Sequence, residues 1–399
     1  MLTDFHHVSL SQPGGRPDIS AFGMKAAEKV IAFHQSFPAY APTPLVSLSA
    51  LAGILGVRGI HVKDESRRFG LNAFKALGGS YAIGCLIAEE LGPGSDAPDY
   101  ETLVGEDVRR RLGPVTFITA TDGNHGRGVA WTAKELSQKA VVCLPRGTAP
   151  ERLANIRALG AQAWITDLNY DDTVRLACRL AQENGWLLVQ DTAFEGYESV
   201  PRHIMEGYLT MALEAVRQLG TVRPTHIFLQ AGVGSMAGAL TAFFADFYGE
   251  ALPRIVIVEP NAADCIFRTA AADDGKLHFV GGEMHSMMAG LCCGEPCLPA
   301  WKILRGYASD FLSVPDSAAA LGMRLLAEGV GGGTKIVSGE SGAAGFGAAA
   351  AILREEGLTE LRDRLGLASD SVLLFFSTEG DTDRENYLRV VRDGLLPTL

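Results

Sequence analysis

Long apolar runs are missing from this 399-residue chain, and so is any surplus of positive charge. No uninterrupted hydrophobic stretch approaches the roughly 20 residues a membrane-spanning helix needs. With 35 Lys and Arg against 46 Asp and Glu, the net charge is -11. That sign argues against non-specific nucleic-acid binding, which needs a basic surface to displace counterions. The opening Met1-Leu2-Thr3-Asp4-Phe5-His6-His7 has no basic segment leading into an apolar core. No secretory signal is expected, and the implied address is cytoplasmic. Cysteine is sparse as well, and 7 of them do not make a disulfide scaffold in a chain this long. Cys85, Cys143 and Cys178 lie in apolar stretches and read as small buried residues. Three others crowd Leu291-Cys292-Cys293-Gly294-Glu295-Pro296-Cys297. Adjacent cysteines with no histidine at ligand spacing suit zinc poorly, so no metal is expected. A redox-sensitive pair of Cys265 with Cys292 or Cys293, and plain free thiols, both stay open.

What the chain does have is enough apolar matter for a large core and two domains: 47% hydrophobic and 20% charged residues. Short apolar runs alternate with helical patterns. Strands are expected at 59–63, 115–120, 140–144, 163–166, 186–190, 225–230, 254–258 and 371–376, and helices at 81–91, 125–137, 150–159 and 171–184. Strands apolar on both faces and separated by helices point to an α/β architecture with parallel sheets. Neither repeats nor a low-complexity linker interrupt it.

The sequence is organised around Phe69-Gly70-Leu71-Asn72-Ala73-Phe74-Lys75-Ala76-Leu77-Gly78-Gly79-Ser80-Tyr81. A lysine held among apolar groups is disfavoured as an ammonium and becomes a usable amine. Such an amine forms Schiff bases with carbonyl compounds, the aldehyde of pyridoxal phosphate included. The two glycines would let a flat ring lie close to the backbone. Taken alone, Lys75 is a weak signal, and a surface or salt-bridged lysine near a helix start is the simpler reading.

Ligands of open parallel sheets bind beyond the carboxyl ends of the strands. Four polar or glycine-rich loops follow strands here: Thr121 to Gly126, Asp191 to Tyr197, Ala231 to Gly238, and Ser377 to Asp383. Gly232-Val233-Gly234-Ser235-Met236-Ala237 precedes a helical pattern, and backbone N–H groups at a helix start bind phosphate. As a dinucleotide fingerprint it fails, because the third glycine falls at 238, one place late. A single phosphate fits better. Gly329 to Lys335 lacks both a preceding strand and the Lys-Ser/Thr ending of a nucleotide loop, so it reads as a plain loop. Asp122 and Asp191 are candidate general acid–base groups that could divide roles in one cleft. Each is also at home as a turn or N-cap aspartate.

Read together, these stretches resemble the tryptophan-synthase β group of pyridoxal-phosphate enzymes, fold type II. Within it the chain is closely similar to the diaminopropionate ammonia-lyases. The likeness runs through Lys63-Asp64-Glu65-Ser66, Arg68 to Lys75, Thr121 to Gly128, Asn169 to Val174, Gln190-Asp191-Thr192, Gln230 to Gly234, Ser338 to Gly342 and Ser377 to Asp383. The resemblance implies two open, mostly parallel sheets flanked by helices, with the cofactor in the cleft between a large domain (1–80 and 222–399) and a smaller one (81–221). It implies that Lys75 carries pyridoxal phosphate as a Schiff base, that Gly232 to Ala237 cradles its phosphate, and that Asn124 meets its phenolic oxygen. Ser377 or Thr378 would meet the ring nitrogen, and Glu340 and Ser341 would line the cofactor. The implied reaction is α,β-elimination from D- and L-2,3-diaminopropionate, giving pyruvate and two ammonia molecules. Lys75 would be the base for the L form and Asp122 for the D form, with Asp191 orienting the β-ammonium or assisting Asp122. A homodimer is implied as well. A serine or threonine dehydratase on the same fold is the alternative, and the carboxylate at 122 argues against it. A nucleotide-binding domain built on the Gly232 loop is the alternative from another class.

Overall fold

The computed structural model describes residues 2, 4–10, 15–92, 96–121 and 123–396. Among the described residues eleven strands form two sheets: β1 (His6–Ser9), β2 (Leu45–Ser47), β3 (Gly59–Asp64), β4 (Thr116–Ala120), β5 (Lys139–Leu144), β6 (Gln162–Ile165), β7 (Leu187–Leu188), β8 (His226–Gln230), β9 (Arg254–Pro260), β10 (Asp310–Val314) and β11 (Val372–Ser377). The larger sheet has the order β1-β10-β9-β8-β11-β3-β2, and the smaller has the order β6-β5-β4-β7. All pairs in the smaller sheet are parallel. In the larger one only the edge pairs β1–β10 and β2–β3 are antiparallel. Central strands such as β8, β10 and β11 are buried along their whole length, as expected where helices cover both faces. Among the described residues no helix is long and apolar enough to cross a membrane.

Three strands escape the apolar-run reading. β1 and β2 are short edges, and β10 carries Asp310 and Ser313 at buried positions. Those polar groups are satisfied: Asp310 pairs with His7 at 2.8 Å and Arg254 at 2.5 Å, and the Ser313 hydroxyl donates to Asp264 at 2.8 Å. Buried polar groups with partners do not break a strand. At the other extreme, the expected strand 186–190 shrinks to two residues, Leu187–Leu188.

The helix after Lys75 spans Ala76–Leu91 and so begins five residues earlier than its pattern implies. Gly78 and Gly79 lie inside it. Their role is helix packing and not room for a ring. A Cβ on Gly78 would stand 2.7 Å from both Ile204 and Tyr208, and one on Gly79 would stand 3.5 Å from the Gly128 backbone. Close approach of the Ser199–Gly207 and Asn124–Glu135 helices offsets the usual penalty of about 1 kcal/mol for a helical glycine.

A buried ionic cluster anchors the start of this loop. Arg68 donates to Glu65 at 2.8 and 2.9 Å and to Glu214 at 2.9 and 2.8 Å. Lys63 donates to Glu214 at 2.6 Å, and the Thr43 hydroxyl donates to Glu65 at 2.6 Å. Two cations face two carboxylates, so the cluster is neutral. It ties the exit of β3 to the Leu209–Leu219 helix. Lys75 therefore ends a segment with a fixed origin.

Candidate active site

Lys75 sits directly before the Ala76–Leu91 helix, and its loop lies along the exit of β11. Phe74 N–H donates to Thr378 O at 3.0 Å, Gly380 N–H donates to Asn72 O at 3.0 Å, and Ala73 bridges Glu379. A cavity opens here with walls from the carboxyl ends of both sheets. Asn124 and Asp191 come from beyond β4 and β7; Gln230, Gly232 to Ala237, Thr378 and Glu379 come from β8 and β11 and their exits. Lys75, Phe74, Tyr208, Leu291, Cys293 and Ser341 complete most of the rest. The strand-end rule that picked out these loops thus brings them to one place.

The Lys75 Nζ donates to Asp191 Oδ2 at 3.0 Å. The other oxygen of Asp191 accepts from the Tyr170 hydroxyl and the Gln190 amide, each at 3.2 Å. Burial works to raise the Asp191 acid. The Lys75 charge, His125, and the hydrogen bonds from Lys75 and Tyr170 outweigh it and hold the acid at about 2. Asp191 is therefore a fixed carboxylate at neutral pH. Its backbone oxygen accepts from the Ser235 hydroxyl at 3.0 Å, which couples it to the helix start across the cavity.

That start is the Ser235–Tyr248 helix, whose preceding residue Gly234 has φ +94°. A side chain there would be strained, and its Cβ would stand 2.7 Å from Ile266. The first N–H groups of a helix have no acceptor within it and carry the positive end of its dipole. Gly232 to Ala237 thus presents a cradle of donors to the cavity that holds Lys75. An amine, an anion cradle and the Asn124 amide form a donor set that fits an aldehyde bearing a phosphate. The groups present fit pyridoxal phosphate.

Thr378 is on the cavity wall, whereas Ser377 turns away and its hydroxyl donates to Ser338 at 2.8 Å. Gln230 Nε2 donates both to Phe376 O at 2.8 Å and to Thr378 Oγ1 at 2.9 Å. A carbonyl only accepts, so this contact fixes the orientation of the amide. Glu340 is not on this wall either; it lines a second cavity on the far side of Ser341. Asp122 lies outside the described residues. No disulfide joins any of the seven cysteines.

Comparison with known proteins agrees with the geometry. Residues 37–374 match the family model described as pyridoxal-phosphate dependent enzyme. A diaminopropionate ammonia-lyase of Escherichia coli (strain K12) is 50% identical over 376 residues, covering 94% of this chain and 93% of the relative. The chain belongs to the diaminopropionate ammonia-lyase family. The solved holo structure of an Escherichia coli member superposes with a TM-score of 0.92 at 45% identity, covering 98% of both chains. Another, in complex with an aminoacrylate-PLP azomethine reaction intermediate, gives a TM-score of 0.90 at 46% identity, again covering 98% of both. The fold is accordingly that of the type II pyridoxal-phosphate enzymes, and pyridoxal phosphate is the cofactor.

In this family member, motif reading missed Glu379 as a site residue. Its carboxylate accepts from Asn124 Nδ2 and, at 3.0 Å, from Ser341 N–H. It thus sets the asparagine that was expected to meet the cofactor. Tyr208 and Phe74 were missed too, and their rings lie 4.8 Å apart on the same wall. Nothing in a lone Tyr or Phe marks it in a sequence.

Proposed function

We propose that this protein eliminates ammonia from both D- and L-2,3-diaminopropionate, and that water hydrolyses the released enamine to pyruvate and a second ammonia. The observation that carries the reading is the 50% identity to a diaminopropionate ammonia-lyase over 94% of the chain. Bound pyridoxal phosphate supplies the electron sink for charge left at Cα when its proton is removed. The chain does the rest. Lys75 would hold the cofactor, and its amine would take the Cα proton of the L substrate. Asp122 would take that of the D substrate from the other face. Two bases on opposite faces are what a planar centre needs if both hands are to react. Asp191, charged and 3.0 Å from Lys75, would keep the lysine aimed and orient the substrate's ammonium. The N–H groups of Gly232 to Ala237 would bind the phosphate, the Asn124 amide the phenolic oxygen, and the Thr378 hydroxyl the ring nitrogen.

The same reading takes 1–80 with 222–399 as the large domain and 81–221 as the smaller. It makes the enzyme a cytoplasmic homodimer acting on a small amino acid. The test is pyruvate release from D- and L-diaminopropionate and from D- and L-serine, with the absorption spectrum recorded alongside. Rapid release from both diaminopropionate enantiomers by a coloured protein is expected. Activity on L-serine alone would make it a dehydratase, and a colourless, inactive protein would end the reading.

A further inference from the structure

The ladder between β8 and β11 ends at the pair Phe228–Phe375. Beyond it a side chain takes over. Gln230, the buried last residue of β8, reaches across to the exit of β11. There its Nε2 donates to Phe376 O at 2.8 Å and to Thr378 Oγ1 at 2.9 Å. An amide nitrogen has two protons, and both are used. Because the Phe376 carbonyl can only accept, the amide cannot turn over, and the Thr378 oxygen is the acceptor of its pair. A hydroxyl also carries one proton of its own. For Thr378 that proton is left for the occupant of the cavity whose wall both residues share.

The inference rests on the reading that Thr378 meets the ring nitrogen of pyridoxal phosphate. A bare nitrogen accepts the Thr378 proton, and every group is satisfied. A protonated nitrogen would make the same oxygen accept twice, from Gln230 and from the ring. It would also leave the hydroxyl proton without an acceptor at a buried residue, which is costly. The two carboxylates on this wall have donors of their own. Glu379 accepts from Asn124 Nδ2, from Ser341 N–H at 3.0 Å and from the Thr382 hydroxyl at 3.3 Å, and Asp191 accepts from Lys75 at 3.0 Å. We propose that Gln230 is a positioning residue that makes the Thr378 hydroxyl a donor and so keeps the ring nitrogen unprotonated. A bare nitrogen draws electrons less strongly than a protonated one. Charge left at Cα then flows into the breaking bond to the β-amine instead of resting in the ring, which suits elimination.

Solid-state 15N NMR of the holoenzyme, loaded with cofactor labelled at the ring nitrogen, reads that proton without any turnover. At neutral pH the parent should give the signal of a bare pyridine nitrogen. Gln230→Met removes the donor without adding a charge, so the hydroxyl is free to turn and accept from a ring N–H. The pH midpoint at which the nitrogen takes up its proton should then rise by about one to two units. Should Gln230→Met fail to fold, Gln230→Glu keeps the shape and puts an acceptor where the donor stood, and the midpoint must rise again. An unmoved midpoint, or a parent nitrogen already protonated at neutral pH, would overturn the proposal. Thr378→Val separates this inference from the reading beneath it. If Thr378→Val moves the signal and the Gln230 variant does not, only the role of Gln230 is lost. If Thr378→Val leaves the signal where it was, Thr378 does not meet the ring nitrogen, and that assignment fails first.

Discussion

Replacing Arg68 by methionine should destabilise the protein by about 3–5 kcal/mol at neutral pH and reverse the way its stability responds to acid. The side chain is fully buried, and its guanidinium serves Glu65 and Glu214 with four hydrogen bonds of 2.8–2.9 Å. Burial alone would raise the Glu214 acid, but hydrogen bonds and charge from Arg68, then Lys63, hold it at about 2 against an ordinary 4.5. A carboxyl so displaced stabilises the fold by about 3 kcal/mol. That matches the usual loss when one partner of a buried pair is deleted. A depressed acid contributes its stability above its ordinary value, near pH 4.5, and loses it as pH falls through about 2. With Arg68 gone, Lys63 alone faces two buried carboxylates, and one of them must take up a proton to stay inside. The variant should then grow less stable as pH rises from 5 to 8, where the parent is flat with respect to this cluster. Urea unfolding followed by circular dichroism at several pH values measures both effects. Adding Glu65→Gln to Arg68→Met should recover part of the loss. A variant within 1 kcal/mol of the parent, with the same pH slope, would refute the claim that this cluster anchors the lysine loop.

Three further predictions concern the site itself. Lys75→Ala should abolish turnover and leave no covalently held chromophore; full activity in it would remove the central claim about this residue. Asp122→Asn should depress kcat/KM for D-diaminopropionate by at least about a hundredfold more than for the L form. Equal loss on both hands would mean that Asp122 holds substrate in general. Gly234→Ala must force a side chain into φ +94° and within 2.7 Å of Ile266, so it should weaken cofactor retention by more than about tenfold. Dialysis followed by the visible spectrum measures this, and retention equal to the parent's would mean that the helix start is not the phosphate cradle.

What could be read from the sequence and what could not divides along one physical line. Lys75, Asp191 and the Gly232 loop were legible because each signal is local: an amine among apolar residues, an acid at a strand end, glycines ahead of a helix. The sheet rule then brought them to one cavity without any knowledge of contacts. Ser377 and Thr378 mark where local reading ends. Neighbours leaving a strand point opposite ways, so only one can face the cavity. Which one depends on Gln230, nearly 150 positions away, drawing Thr378 inward while Ser338 takes Ser377. Glu379 fails to announce itself for the same reason, since its partner Asn124 is 255 positions distant. Gly78 and Gly79 mislead in the opposite direction. Glycine beside a catalytic-looking lysine suggests room for a ligand, yet here a helix from elsewhere fills the room. Glu340 combines both difficulties. The motif around it is visible and draws it toward the cofactor, but the orientation of the helix start gives Ser341 to that cavity and Glu340 to the next. A one-residue step along a helix start thus decides which cavity a side chain faces.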